Sequence, residues 1–202
     1  EATAKGITDM AVIVFSYWPG DFKFSGDIAL LPFSMDWTTG PKVAAAALPH
    51  FQQEIGKYNQ SFIIPLVIST DWMMKKPLDV NNPSFKGLKL RSIGGTYDLV
   101  IETLGGAPTT TPSAEIPSAI RTGVIEGFTT SFQSYVGFDL AKDAPYLYVT
   151  EGFLFMGNGW SINNDFFNKL PPEWQKIVPD EAQKASAWLM SESQKLDDAA
   201  IA

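Results

Sequence analysis

The stretch FKGLKLRSIGG, residues 85–95, decides the fold of this 202-residue chain. Its apolar residues alternate with lysines as far as Arg91, which predicts a short strand, and Gly94 and Gly95 then open a turn. A helix is predicted from residue 96 onward. Strand, glycine turn and helix together form the unit of α/β folds, and ligands bind where such strands end. Arg91 is therefore a candidate anion-binding residue, because its planar fork of donors fits a carboxylate.

The composition argues against several classes of protein. Hydrophobic residues make up 45% and charged residues 18% of the chain, as in ordinary globular proteins. The net charge of −7, the pI of about 4.7 and the lack of a basic run argue against nucleic-acid binding. No apolar stretch approaches the ~20 residues of a membrane span, so direct membrane insertion is not expected. An aromatic content of 13%, with six tryptophans, indicates a pocket lined by rings.

Repeated strand-then-helix units follow from residue 86 onward. They predict an α/β fold with largely parallel strands. The predicted strands are residues 9–15, 61–68, 88–91, 107–111, 124–128 and 152–162, and the predicted helices are 41–57, 96–104, 113–122, 134–142 and 172–202, the last one broken at Pro179.

Signatures of catalysis are weak in this sequence. The only histidine, His50, lies in an amphipathic helix and is expected to be structural, and there is no cysteine, no G-x-S-x-G elbow and no Walker loop. One histidine without thiols also argues against a zinc site. Carboxylates at Asp71, Glu102, Glu115 and Glu126 could share one pocket, so a small carboxylate-based α/β enzyme stays open as an alternative. We predict a protein that is not an enzyme and that uses no metal or cofactor.

Polar residues at two predicted strand ends make a candidate carboxylate site. Besides Arg91, the strand at 124–128 runs into residues 129–133, which supply three hydroxyls and an amide. The helix after Arg91 would add the free N–H groups of its first turn. The only other arginine, Arg121, is expected in the last turn of a helix, where a cation complements the helix dipole, so it is predicted to be structural.

The order of short motifs along the chain resembles that of the solute-binding proteins of tripartite ATP-independent periplasmic (TRAP) transporters, DctP type. No single motif is decisive, but their order over nearly the whole chain is specific. The motifs are KKPL (75–78), FKGLKLR (85–91), LGGAP (104–108), PSAE (112–115), AIRTGVIEG (119–127) and INNDFFNKLPPEWQKI (162–177), with YWPGDF (17–22) and LPF (31–33) shared with one branch of the family.

The resemblance implies an α/β, two-lobed periplasmic-binding-protein fold, type II-like, whose lobes are joined by crossing hinge strands. Residues 1–67 would form part of lobe I and residues 68–160 lobe II, and residues 161–202 would return to lobe I and begin a long C-terminal helical region. The opening strand–helix–strand and the final helices of the family have no counterpart here. The chain is therefore expected to be truncated at both ends.

The resemblance also implies the ligand. In the family, the arginine at the position of Arg91 forms a salt bridge with the ligand carboxylate. Thr130 stands where sialic-acid binders often have asparagine, and the second arginine of some members has no counterpart in residues 67–72. A monocarboxylate with an apolar or aromatic body, packed on aromatic side chains, is the expected ligand. The predicted ligand-binding residues are Arg91, Thr130, Trp72, Phe128, Trp18, Gly95 and Asn158.

The implied function is that of a periplasmic receptor. It would capture a small organic acid between its lobes and deliver it to the membrane permease subunits of a TRAP transporter. A binding protein of an ABC importer, with the same cleft and a different membrane partner, stays open as an alternative. In either case, Arg91→Ala is expected to abolish binding of the acid and to leave the fold intact.

Overall fold

The computed structural model describes residues 1–28, 36–150 and 154–201, and it arranges them around two β-sheets. The strands are β1 (Met10–Val14), β2 (Gln60–Ser69), β3 (Asp71–Met74), β4 (Lys89–Ser92), β5 (Ala107–Thr110), β6 (Gly127–Thr130), β7 (Tyr146–Tyr148) and β8 (Leu154–Asn163). The α-helices are α1 (Lys23–Ile28), α2 (Gly40–Gly56), α3 (Thr96–Thr103), α4 (Ile116–Thr122), α5 (Phe132–Gly137), α6 (Asn164–Lys169) and α7 (Pro172–Ile201). Short 3-10 turns occupy Phe15–Tyr17 and Ser113–Glu115.

The smaller sheet has three antiparallel strands in the order β1-β8-β2. Helices α2 and α7 both pack against β2. Phe15, which directly follows β1, is fully buried against Phe51 of α2 and Phe62 of β2. This aromatic core fixes the 3-10 turn after β1, and with it the position of Tyr17.

The larger sheet has five strands in the order β5-β4-β6-β3-β7. β4 is parallel to β5 and β6, whereas β3 is antiparallel to β6 and β7. The chain passes from β4 to its parallel neighbour β5 through α3, and α4 then connects β5 to β6 on the other side of β4. Alternate residues of β3 enter different cores. Trp72 and Met74 pack with α3, and Met73 packs with α4 and α5.

Two segments carry the chain between the sheets. β2 passes through Thr70 alone into β3, and β7 leads through residues 149 and 150 towards β8. The segments are bonded to each other, because the Thr150 N–H donates to Asp71 Oδ1 (3.0 Å) and the Thr150 hydroxyl donates to the Thr70 carbonyl (3.0 Å). The predicted two-lobed α/β fold with crossing hinge strands is confirmed.

Most predicted elements agree with the structure. The helices at 41–57 and 96–104 and the strands at 9–15, 61–68, 88–91 and 107–111 match α2, α3, β1, β2, β4 and β5 to within one residue at each end. The predicted helix at 113–122 begins as a 3-10 turn and continues as α4. Residues 152 and 153 of the last predicted strand, and the motif at 31–33, lie outside the described residues.

The prediction of largely parallel strands is wrong. Among the strand pairs of the described residues, only β4–β5 and β4–β6 are parallel. The antiparallel neighbours β3 and β7 were not predicted. β3 follows β2 after a single residue, so no turn signal marks its start, and β7 has only three residues.

Two predicted boundaries are wrong because the chain folds back after a helix. β6 begins at Gly127 and not at residue 124, since the Val124 N–H still donates to the Ala119 carbonyl of α4 (3.0 Å). α5 ends well before residue 142, because the Leu140 N–H turns back to the Tyr135 carbonyl (3.1 Å). The hydrogen bonds that close α4 therefore delay the start of β6. The backbone turn after Gly137 ends α5 before the predicted boundary.

The predicted break at Pro179 is also wrong, because α7 continues through this residue. Proline removes one helical hydrogen bond and costs about 3 kcal/mol in a helix interior. Packing of α7 on β2 offsets that cost. One contact of this interface is a hydrogen bond from the Ser186 hydroxyl to the Pro65 carbonyl, two turns beyond the proline.

Candidate ligand-binding site

Arg91 occupies the third position of β4, with Thr109 of β5 and Phe128 of β6 as its neighbours in register. Its side chain is only 1% exposed, which is unusual for an arginine. Leu90 enters the core under α3, and strand alternation therefore turns Arg91 to the opposite face of the sheet. The site thus begins with a cation buried at the centre of three parallel strands.

All three nitrogens of the guanidinium have acceptors. Nε donates to the Thr111 carbonyl (2.7 Å), and Nη1 donates to the Thr129 carbonyl. Nη2 donates to the Tyr17 hydroxyl (2.9 Å) and to the Ser113 hydroxyl (3.2 Å). The two carbonyls belong to the carboxyl ends of β5 and β6, so they fix the plane of the guanidinium. The two hydroxyls come from the two 3-10 turns.

The charge of Arg91 has no acidic counterpart nearby. Within residues 1–28, 36–150 and 154–201, no carboxylate lies within salt-bridge distance of its guanidinium. Burial lowers the pKa of Arg91, although the neighbouring Tyr17 oxygen acts against that effect. An arginine nevertheless keeps its proton in a protein. Chemically, the arrangement is a fixed, buried cation surrounded by neutral oxygen atoms, which favours an anion.

The two sheets meet beside this cation. Tyr17 follows β1 of the smaller sheet, whereas Arg91 belongs to the larger one, so their 2.9 Å hydrogen bond crosses between the sheets. Gly94, with a φ of 90°, lies against the same turn. A Cβ atom built at Gly94 would stand 3.2 Å from the Ser16 carbonyl oxygen. Only glycine combines this backbone conformation with so close an approach.

A second polar group lies between Arg91 and the crossing segments. Tyr97 of α3 is buried, and its hydroxyl is hydrogen-bonded to the hydroxyl of Thr70. Burial raises the pKa of the Tyr97 hydroxyl, so this hydroxyl stays protonated. Burial also raises the pKa of Asp71, while its hydrogen bonds from Thr150 act in the opposite direction. The hinge between the sheets therefore contains a buried polar network close to the arginine.

The N-terminus of α3 is less available to an anion than the sequence suggested. The N–H groups of Tyr97 and Asp98 donate to the carbonyls of Gly94 (3.3 Å) and Gly95 (3.1 Å). The Asp98 carboxylate lies in the first turn of the helix and accepts a hydrogen bond from Ser92. Because this carboxylate already complements the helix dipole, Arg91 is the main anion-attracting group of the site.

The predicted ligand-binding residues of the larger sheet lie around Arg91 but on different faces. Thr130 is buried, next to the carbonyl of Thr129 and opposite Asp71 in register. Phe128 is fully buried in the core beneath α4 and α5. Trp72 packs on Phe85 and Tyr97 in the other core. The two rings are therefore not brought together, and their contact with a ligand stays a prediction.

The other predicted residues lie at the junction of the sheets. Trp18 follows Tyr17 directly and is 50% exposed. Gly95 is exposed in the turn before α3, with a φ of 56°. Asn158 lies opposite Val14 in β8, and its buried Oδ1 atom has no hydrogen-bond partner among the described residues. Their roles in binding likewise stay predictions.

Sequence reasoning missed two residues of the site, Tyr17 and Ser113. Ser113 follows the carboxyl end of β5, so the rule that selected the hydroxyls after β6 could have selected it as well. In the sequence analysis, Ser113 enters only as the first residue of the predicted helix at 113–122. Tyr17 carries no comparable signal, because it lies 74 residues before Arg91 in a turn of the other sheet.

Two further findings concern metals and membranes. Among the residues that the structure describes, no group of three or more acidic or histidine side chains could hold a metal ion. Within the same residues, every helix is too short or too polar to span a bilayer.

Comparison with known proteins places the chain in a family. The model of DctP, bacterial extracellular solute-binding protein family 7, matches residues 74–202. A solute-binding protein of Albidiferax ferrireducens is 28% identical over 209 residues, which cover 98% of this chain and 59% of the relative. The chain therefore spans about three-fifths of that protein's length.

Solved structures share the fold. A Bordetella pertussis extracytoplasmic solute receptor, DctP6, which binds pyroglutamic acid, superposes with a TM-score of 0.86 at 19% identity, over 98% of this chain and 65% of that one. A TRAP periplasmic solute-binding protein of Rhodoferax ferrireducens with bound malonate gives a TM-score of 0.82 at 20% identity, over 97% and 63%. With the family match over more than half of its length, the chain belongs to the DctP family of bacterial extracellular solute-binding proteins.

Proposed function

We propose that this chain is the ligand-binding part of a periplasmic receptor that captures a small organic acid between its two sheets and delivers it to the membrane permease of a TRAP transporter. Membership of the DctP family supports the receptor role. The fold shared with a TRAP periplasmic solute-binding protein supports the transporter class. The division into lobes at residues 67 and 160 is part of this proposal.

The single observation that carries the proposal is the environment of Arg91. A guanidinium that is 1% exposed and has no carboxylate partner among the described residues pays a desolvation cost that neutral oxygens offset only in part. An anionic ligand would offset the rest. Its position at the carboxyl ends of parallel strands is where α/β folds bind ligands.

The proposed ligand has one carboxylate that the protein binds through a single cation. Only two arginines occur in the sequence, and the second, Arg121, is half exposed and bonded to Asp143 (2.9 Å). A diacid or a sugar acid would leave further polar groups to be satisfied. An apolar or aromatic ligand body belongs to the same proposal. The half-exposed Trp18 would contact it directly, whereas Trp72 and Phe128 are buried in separate cores and would only support the walls of the pocket.

A thermal-shift screen followed by calorimetry tests the proposal. The panel is malonate, pyroglutamate, benzoate and galacturonate, each added to the 202-residue chain. A ligand that binds only the folded state raises the melting temperature by mass action. The best acid is then titrated into wild type, Arg91→Lys, Arg91→Gln and the matched control Arg121→Gln. We expect Arg91→Gln to lose at least about a hundredfold in affinity, since a charged hydrogen-bonded pair is broken, and Arg121→Gln to bind as wild type.

Two results would contradict the proposal. One is a panel in which no acid shifts the melting temperature, and the other is unchanged affinity in both Arg91 variants. The ligand class is tested separately by mass spectrometry of the purified protein. A co-purified sugar acid with several charges would exclude the monocarboxylate.

A further inference from the structure

We infer that the hydroxyls of Tyr17 and Ser113 contact the ligand carboxylate and present the charge of Arg91 to it. The inference rests on the proposed function and deepens it, because it names two ligand-binding residues and the hydrogen bonds that they make. It also gives the smaller sheet a direct part in holding the acid.

The first support is the difference in exposure between the cation and its two hydroxyl partners. Arg91 is buried, whereas Tyr17 and Ser113 are half-buried. Both hydroxyl oxygens lie on the same guanidinium nitrogen, Nη2. The other two nitrogens are directed to backbone carbonyls inside the sheet. An acid that arrives from solvent therefore reaches the two hydroxyls before it reaches the guanidinium.

The second support is the number of hydrogen-bond donors that remain. Each hydroxyl accepts from Nη2 through an oxygen lone pair, which leaves its own O–H as a donor. The Tyr17 and Ser113 oxygens lie 3.5 Å apart, at the limit of a hydrogen bond, so at most one of the two O–H groups is used between them. A hydroxyl that accepts from a cation is also a stronger donor. Within the part of the chain that the structure describes, at least one such donor therefore has no acceptor and can donate to a carboxylate oxygen.

The third support is that the two hydroxyls come from different sheets. Tyr17 follows β1, and Ser113 follows β5. A carboxylate held by both would bind the closed arrangement of the sheets better than any arrangement in which they separate. A ligand shifts a conformational equilibrium only by such a difference in affinity. The same two hydrogen bonds would thus couple capture of the acid to closure of the cleft.

The competing geometry is one in which Arg91 alone binds the acid and the two hydroxyls serve only as acceptors of its N–H groups. It would require Nη2 to release at least one of the two hydroxyl oxygens, because these are its acceptors in the structure. The two geometries predict opposite results for Tyr17→Phe. This substitution removes a ligand donor in the first geometry, and it removes only a competitor for Nη2 in the second.

Isothermal titration with the tightest-binding acid among malonate, pyroglutamate and benzoate distinguishes the two geometries. The variants are Tyr17→Phe, Ser113→Ala, their combination, Arg91→Gln and a matched control, Tyr58→Phe. The control removes a tyrosine hydroxyl that donates to Asp21 (2.9 Å) and does not touch Arg91. We expect Tyr17→Phe and Ser113→Ala each to weaken binding about tenfold or more, the double variant to weaken it further, and Tyr58→Phe to bind within twofold of wild type.

Melting of the ligand-free variants separates a binding role from a structural one. Tyr17→Phe should melt close to wild type while its affinity falls. If Tyr17→Phe and Ser113→Ala bind as tightly as wild type, or more tightly, while Arg91→Gln loses binding, the inference is wrong and the proposed function stands. If Arg91→Gln also binds normally, or if none of the acids binds, both the inference and the proposed function are wrong.

Discussion

The two arginines of this chain, which look equivalent in a composition table, lie in opposite physical surroundings. Arg91 is buried at the centre of the five-stranded sheet and is held by two backbone carbonyls and two hydroxyls. Arg121 lies in the last turn of α4, with a side chain that is 52% exposed, and pairs with Asp143. The cation with an acidic partner is the one that water already solvates, whereas the cation that has none among the described residues is buried. This contrast shows that the number of charges says little about function, while the partners of each charge say a great deal.

The largest expected effect is a difference in the free energy of unfolding between alanine variants of the two arginines. Arg91→Ala should lower the free energy of unfolding by about 3 kcal/mol, because the cavity and the loss of donors to the Thr111 and Thr129 carbonyls outweigh the relief of the guanidinium's desolvation. Arg121→Ala should cost less than about 1 kcal/mol, as exposed ion pairs do. Urea unfolding of both variants measures the difference. Equal losses would show that the buried environment of Arg91 contributes nothing special.

Because Arg91→Ala is expected to destabilise the fold, other substitutions of Arg91 are needed for affinity measurements. The sequence alone suggested that Arg91→Ala would leave the fold intact. With four hydrogen bonds and 1% exposure, Arg91 is also a structural residue. Arg91→Gln and Arg91→Lys retain most of the side-chain volume, and they are therefore the better variants for affinity measurements.

A smaller loss of stability tests whether the buried polar residues near Arg91 also stabilise the hinge between β2 and β3. Tyr97→Phe removes the hydroxyl that bonds to Thr70 between β2 and β3. We expect a loss of about 1–2 kcal/mol in the free energy of unfolding, since a buried hydroxyl partner is left behind. Tyr58→Phe, whose hydroxyl bonds to the exposed Asp21, is the control and should lose less. If the Tyr97 variant is as stable as the control, the hydrogen bond between Tyr97 and Thr70 contributes nothing measurable to the stability of the hinge.

The smallest effect concerns the buried acid of the hinge, Asp71. Burial raises its pKa in the folded state, so its contribution to stability is fully present below the unfolded pKa of about 3.9 and is lost as the pH rises through the folded pKa. Asp71→Asn carries no charge at any of these pH values. Its stability relative to wild type should therefore increase as the pH rises from about 4 towards neutrality. Urea unfolding of both proteins at several pH values measures this, and a constant difference would contradict it.

The local elements around Arg91 could be predicted because the sequence signals there are local. The alternation of residues 88–91, the glycine turn and the helix that follows all act within a few residues of one another. The antiparallel strands β3 and β7 could not be predicted in this way. Both are short, and each forms through pairing with a distant segment, such as Trp72 with Thr129 and Tyr148.

The candidate site was predictable only in part for the same reason. Arg91 and the residues after β6 follow from the position of strand ends, and Ser113 could have followed from the same rule. Tyr17 could not, because its place is set by the packing of Phe15 in the core of the other sheet. The resemblance in motifs identified the family, but it contained no information on which side chains complete the hydrogen bonds of the arginine.

The glycine turn after β4 has a mechanical consequence. At Gly94 the missing side chain lets the Ser16 carbonyl of the opposite sheet come within contact distance. A side chain at this position would press against the Ser16 carbonyl and push the two sheets apart, and a larger side chain would push them further. A graded series of residues at position 94 would therefore change the distance between the sheets, and the affinity of each variant for an acid would report that distance.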